Sequence, residues 1–261
     1  VLAIGDAPTD ITSHSVATSH FYDIFRYQIL DTNSYIEEIW AYGYWAIDRC
    51  ARIIKEGASF KEVTMGDLAE VQGCIAQAYA IKALCSFYLT NMFGLPYSEA
   101  NKTTLGIVNV TEPVPAYSQV SRVSVEQNYS LILDDITKAK EYYAKEGVEN
   151  VGKQYMNTAA VAALEARVKL YMKNYEGAIT AAQEAITLSG GTIVSTKEDY
   201  KNMYTTLAVS TEDIFFIAKA EDDYLSANAL NTLWNKYGLS INSATIAEYS
   251  SNDIRLALLG G

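Results

Sequence analysis

Between Ser34 and Glu56 apolar side chains return every three or four positions: Ile36, Ile39, Trp40, Tyr44, Ile47, Cys50, Ala51 and Ile54. That period puts them on one face of a helix. Ser34 is read as its N-cap, with Glu37 completing a capping box, and Gly57 as its left-handed stop. The stretch 67–93 carries Leu68, Val71, Ile75, Ala78, Tyr79, Leu84, Phe87, Tyr88 and Met92 with few polar positions between them. It predicts a helix buried on more than one side and ended by Gly94 and Pro96. Residues 98–123 form a long connection, extended at Pro113 and Pro115 because proline fixes its own φ and biases the residue before it away from helix. A third helix is predicted over 125–146, capped by Ser124 and Gln127, with Ile132, Leu133, Ile136, Ala139 and Tyr143 on its buried face. Helices over 157–172 and 175–188 are separated only by Lys173-Asn174, so they must lie antiparallel and adjacent. The rest is less regular. Residues 1–33 read as a loop and a short helix, 197–205 as a short helix, 213–219 as a strand or extended run, and 225–235 and 244–249 as further helix. The expected fold class is all-α with minor strand content.

Charge narrows the partners. The net charge of -11 repels nucleic acid and an anionic membrane surface, and no basic stripe reverses it locally. No apolar run reaches the length that crosses a bilayer. The three cysteines, Cys50, Cys74 and Cys85, are an odd number within helical patterns, which predicts small core hydrophobes and no disulfide framework. Trp40 and Trp45 are likewise expected in the core. The chain opens on Val1 with no basic or apolar leader, so the expectation is either a cytosolic protein or one whose export segment lies outside this sequence. Twenty tyrosines against seven phenylalanines is a bias toward rings with a polar tip, suited to half-wet surfaces such as sugar sites, though most are expected to pack helix faces.

Within the pair at 157–188, Ala166, Ala178 and Ala185 are small and Tyr175 opens the second helix. Small residues at that spacing let two helices approach closely, as in a tetratricopeptide repeat. One repeat cannot bury its own apolar face, so neighbours must stack on it, and the helices over 67–93 and 125–146 read as a degenerate second repeat split by an insertion. Four ordered landmarks make the likeness more specific. The first is Ala78, Ala83, Phe87, Tyr88, Leu89, Phe93, Gly94 and Pro96. The second runs from Pro115 through Ser121-Arg122-Val123-Ser124-Val125-Glu126, Tyr129, Ile132, Asp135-Ile136 and Ala139. The third is Asn157, Ala159-Ala160, Ala163-Leu164, Ala166-Arg167-Val168, Leu170-Tyr171, Tyr175, Ala178 and Ile186, and the fourth is Ser251-Asn252-Asp253-Ile254-Arg255. Together they resemble the SusD/RagB family. Lys82 stands where that family usually has arginine, its lipid-bearing N-terminal cysteine is absent, and the chain stops at Gly261. A single SusD-like domain over 1–261, compact or truncated, is therefore expected.

The resemblance implies non-catalytic capture of an oligosaccharide or other nutrient at the outer membrane. It also implies a lipid anchor and delivery to a SusC-like TonB-dependent transporter. Nothing in it calls for a cofactor or metal. The residues themselves agree on catalysis: GxSxG, HExxH, phosphate-cradling glycine loops and dinucleotide fingerprints are all missing. Paired carboxylates of a glycosidase could be Asp134-Asp135 or Asp222-Asp223, but the first pair is read on a helix face turned from the core and the second in a polar loop. Sugar capture needs aromatic faces beside planar polar groups. Two segments supply them: His14, His20, Tyr22, Asp23, Arg26, Tyr27 and Tyr35, then Tyr224, Asn228, Asn231, Trp234, Asn235 and Tyr237. The expected ligand-binding set is His14, His20, Tyr22, Arg26, Tyr27, Tyr35, Trp234, Asn235 and Tyr237. A tetratricopeptide scaffold for protein partners and a helical glycoside hydrolase are the alternatives.

Overall fold

A computed structural model describes residues 4–15, 18–61, 64–206, 208–218, 232, 234 and 236–259. The elements are β1 (Thr12–His14), α1 (Tyr22–Phe25), α2 (Ser34–Ala58), α3 (Met65–Phe93), α4 (Val125–Tyr143), α5 (Thr158–Tyr171), α6 (Tyr175–Ser189), α7 (Lys197–Thr205), β2 (Leu239–Ile241), α8 (Ser243–Ala247) and a 3-10 turn (Ile254–Leu258). The chain divides into two compact units. One comprises Val1–Glu38, Ile193–Thr211 and Ala218–Gly261; the other comprises Ile39–Thr192 and Glu212–Ile217.

The second unit is helical and tetratricopeptide-like. α3 packs on α4, α5 on α6, and α4 on α5. Its core joins Phe87, Tyr129, Ile132, Ile136, Val161 and Val168, all buried, with Ala76, Ala80 and Ala83 giving α3 a flank on which α4 can close. Complete burial of each large side chain contributes roughly 1.5–3 kcal/mol. Ser124 and Gln127 form the expected capping box on α4. The start of α2 differs from expectation. Asn33, not Ser34, caps it, accepting from the Tyr35 and Ile36 amides at 3.1 and 3.3 Å. Gly57 lies inside α2 and is no stop; a Cβ there would sit 2.8 Å from the Ile75 side chain, so glycine lets α3 come close.

The connection over 98–123 is anchored by a buried amide. Asn128 on α4 accepts from the Ile107 N–H at 2.8 Å and donates to the Ile107 carbonyl at 3.2 Å and to Asn109 Oδ1 at 2.6 Å. Arg122 adds bonds to the Gly106 and Phe93 carbonyls. The run around Phe215 is extended and forms no strand. Ile214 and Phe215 pack against the helical core, and the Phe216 amide donates to the Lys153 carbonyl at 3.0 Å.

Three expectations about burial are corrected. Trp45 is 57% exposed, where its position five residues after Trp40 carries it off the buried face of α2. Cys74 is exposed on α3, whereas Cys50 and Cys85 are covered and burial pushes their thiols up to about 12 and about 11. Asp135 does not face away from the core. It is buried 3.0 Å from the Lys82 ammonium, which also donates to the Val110 carbonyl at 3.2 Å.

Burial pushes the Asp135 carboxyl from 3.8 up to about 6, and the Lys82 charge lowers it only part of the way back. A carboxyl raised on folding holds its proton more tightly in the folded than in the unfolded chain. Its contribution to stability is therefore greatest below about pH 4 and is lost as pH rises to about 6, by about 3 kcal/mol. The difference in urea unfolding free energy between the wild-type chain and Lys82→Met/Asp135→Leu, followed from about pH 4 to about pH 7, should shift in that direction.

Candidate ligand-binding site

The first unit is organised by a strand pair that joins sequence-distant segments. β1 and β2 are antiparallel, with Thr12 opposite Ile241, Ser13 opposite Ser240 and His14 opposite Leu239. The Ser15 amide continues the ladder onto the Gly238 carbonyl at 2.8 Å, and the Thr18 hydroxyl donates to the Tyr237 carbonyl at 2.6 Å. Gly238 has φ +93°, and a Cβ there would meet the Ser15 carbonyl at 3.0 Å, so this close approach requires glycine.

This pairing sets Tyr237 against His20, with ring centroids 4.1 Å apart. His20 Nδ1 lies 3.1 Å from the Tyr35 hydroxyl, and Tyr35 stacks on the buried Phe21 ring at 4.4 Å and 18°. Burial, then the Glu38 charge and Tyr237, push the Tyr35 phenol up, which keeps it a hydroxyl donor. His14 Nε2 sits 2.6 Å from the His20 carbonyl. A carbonyl only accepts, so Nε2 carries the proton, and His14 Nδ1 is buried without a partner. The His14 ring meets Tyr22 at 5.3 Å and Phe25 at 5.6 Å.

α1 ends in a Schellman turn: the Tyr27 amide donates to the Ile24 carbonyl and the Gln28 amide to the Asp23 carbonyl. Glycine or asparagine usually fills the left-handed position, but here it holds Tyr27 at φ +57°, 75% exposed. A Cβ in that conformation costs about 1–2 kcal/mol. Arg26 beside it is exposed, with its guanidinium 5.3 Å from the Tyr22 ring centroid and 3.4 Å from its hydroxyl.

Of the expected residues, the structure brings together His14, His20, Tyr22, Tyr35 and Tyr237, with Arg26 attached through Tyr22. Tyr27 follows Arg26 in the chain and is exposed, and Trp234 is half-buried in a helical turn. Asn235, Tyr224, Asn228, Asn231 and Asp222-Asp223 lie outside the described residues. Phe21, Thr18 and Gly238 were missed as parts of the site; the aromatic run at 21–27 and the Tyr237-Gly238 turn were the available signals. No cluster among the described residues could hold a metal ion, and no described helix is long and apolar enough to cross a membrane.

A second aromatic surface lies on α2 in the helical unit, where exposed Tyr42 and Trp45 meet edge to face at 5.1 Å. That unit also has a cavity of about 320 Å3 lined by Leu84, Met156, Leu164, Arg167 and Phe215.

A family described as starch-binding and associating with the outer membrane matches residues 4–170. No curated protein matches the sequence. Among solved structures, one described as a candidate sugar-binding protein from Bacteroides vulgatus is 25% identical, with TM-score 0.85 over 99% of this chain and 59% of that one. A SusD superfamily protein from Bacteroides thetaiotaomicron is 21% identical, with TM-score 0.84 over 97% of this chain and 57% of that one. A SusD-like carbohydrate-binding protein, also from Bacteroides vulgatus, is 15% identical, with TM-score 0.83 over 98% of this chain and 54% of that one. The last two likenesses carry the fold alone. The chain spans less than two thirds of the length of each of these relatives.

Proposed function

Because the chain belongs to the SusD-like family, we propose that it captures oligosaccharide at a bacterial cell surface and passes it to a SusC-like TonB-dependent transporter. In this reading a lipid on an N-terminal cysteine outside the present sequence holds the protein at the outer membrane. The observation that carries the reading is the cluster in which His20, Tyr35 and Tyr237 join, with His14 and Tyr22 behind them. It offers planar rings for the apolar face of a pyranose and hydroxyl and imidazole groups for its edges. The sugar-binding description of the 25% identical relative supports the same ligand class.

The alternatives fare less well. Asp135 is sealed in an ion pair with Lys82 and cannot reach a glycosidic bond. A peptide-binding repeat needs an open face, and here Ile214 and Phe215 of the chain itself lie on the helical core.

Calorimetric titration against a panel of neutral and acidic oligosaccharides tests the reading. Binding to at least one is expected, and His20→Ala should weaken it at least tenfold because the imidazole bridges two aromatic partners. Tyr35→Phe keeps the stack on Phe21 and loses only the hydroxyl, so its loss should be smaller. A folded chain that binds none of the panel sinks the proposal.

A further inference from the structure

We infer that Arg26 and Tyr27 form the ligand-facing edge of this site and select a glycan carrying a carboxylate, a uronate-bearing oligosaccharide. The inference rests on the glycan-capture reading and adds the ligand class.

Tyr27 is the first reason. Its backbone occupies the left-handed region at φ +57°, where a bulky side chain is disfavoured, and its ring is 75% exposed. Little burial offsets that conformation, so the fold gains little from an aromatic residue at this turn. Phe21, Tyr117 and Lys173 share this conformation, and such outliers cluster at ligand sites; of the four only Tyr27 directly follows the Arg26 that meets Tyr22. The exposed Tyr27 ring offers a stacking face that Tyr22 does not, since Tyr22 already meets His14 and Arg26.

Arg26 is the second reason. Its guanidinium is steadied by the Tyr22 ring and hydroxyl, and among the described residues no carboxylate lies within ion-pair distance of it. Arg52 pairs with Asp48 and Arg255 with Asp253, Arg122 holds the Gly106 and Phe93 carbonyls and Arg167 bonds to the Tyr88 hydroxyl, whereas Arg26 is exposed with only the Tyr22 ring and hydroxyl beside it. In a chain of net charge -11 an arginine that no described carboxylate engages is available to a ligand's acid. The planar fork matches a carboxylate with two parallel N–H donors, which a lysine cannot reproduce. The surrounding negative field disfavours a densely charged polymer, so the fitting ligand is a short oligosaccharide with few carboxylates among neutral sugars.

The test uses the full chain and matched pairs of probes: oligosaccharides from glucuronoxylan, alginate and pectin, each beside its carboxyl-reduced neutral form. At least one uronate form should bind tenfold or more tightly than its reduced partner. Arg26→Ala should erase that preference, Arg26→Lys should keep only part of it, and Arg52→Ala, an equal loss of charge outside the site, should leave it intact. Tyr27→Gly should weaken binding at least tenfold with the melting temperature unchanged or raised. Equal binding of uronate and reduced forms, or a preference that survives Arg26→Ala, overturns the inference and leaves glycan capture standing. A Tyr27→Gly chain that melts lower and binds as before overturns the role of Tyr27. Absence of binding to every uronate probe overturns the inference, while the calorimetric panel of neutral and acidic oligosaccharides decides glycan capture separately.

Discussion

Lys82→Met should lower stability by about 3–5 kcal/mol, while Lys82→Met/Asp135→Leu should return to within about 1–2 kcal/mol of the wild-type chain. The ammonium and the carboxylate are both almost wholly buried between α3 and α4. Each has lost its hydration, and their mutual attraction at 3.0 Å returns only part of that cost. Asp135 Oδ2 has no hydrogen-bond partner, so the pair is incompletely satisfied even when intact. Removing Lys82 alone strands the carboxyl in the core and takes the donor from the Val110 carbonyl. Removing both charges leaves only that carbonyl to account for, against two apolar side chains gained. Urea midpoints at constant slope measure the difference. A double variant as unstable as the single one would mean that the pair contributes more than it costs.

Asn128→Ala should cost about 1–3 kcal/mol, because it leaves the Ile107 N–H buried without a partner, while the Ile107 carbonyl keeps the Val123 N–H at 3.0 Å. The same amide explains why residue 106 is glycine. A Cβ on Gly106 would fall 1.9 Å from Asn128 Oδ1, whereas the nearest backbone atom is an ordinary 3.4 Å away. Gly106→Ala should therefore destabilise the wild-type chain by displacing the clamp, yet cost much less in the Asn128→Ala background. Thermal melts of the two single variants and the double variant give the coupling. Strict additivity would show that the clash and the clamp are unrelated.

The helices were legible wherever local pattern and burial coincide. α4 carries its own capping box and a stripe through Ile132, Ile136 and Ala139, and α5 and α6 are forced together by a turn of only Met172, Lys173 and Asn174. The same periodicity could have placed Asp135, which falls one turn from Ile132 and two from Asn128 on the buried side, and Trp45, which falls out of phase with Trp40, Tyr44 and Ile47. Charge and ring size suggested otherwise in each case, and position on the helix decided. The candidate site was legible in residue type and not in assembly. His20, Tyr35 and Tyr237 could be named as sugar-compatible, but their meeting depends on two three-residue strands at opposite ends of the chain. Such short strands have no period of their own, and their pairing is set by contacts that no local window contains.

The segment Glu212–Ile217 is the helical unit's own cover. Ile214 and Phe215 follow α6 in the chain and return to pack on the helical core beside Leu84, Met156 and Leu164. A fragment of residues 39–192 keeps the helices and loses that cover, so it should associate with itself more strongly than the whole chain, which sedimentation of the two at equal concentration compares. The solubility of the helical unit thus depends on residues that lie outside its helices.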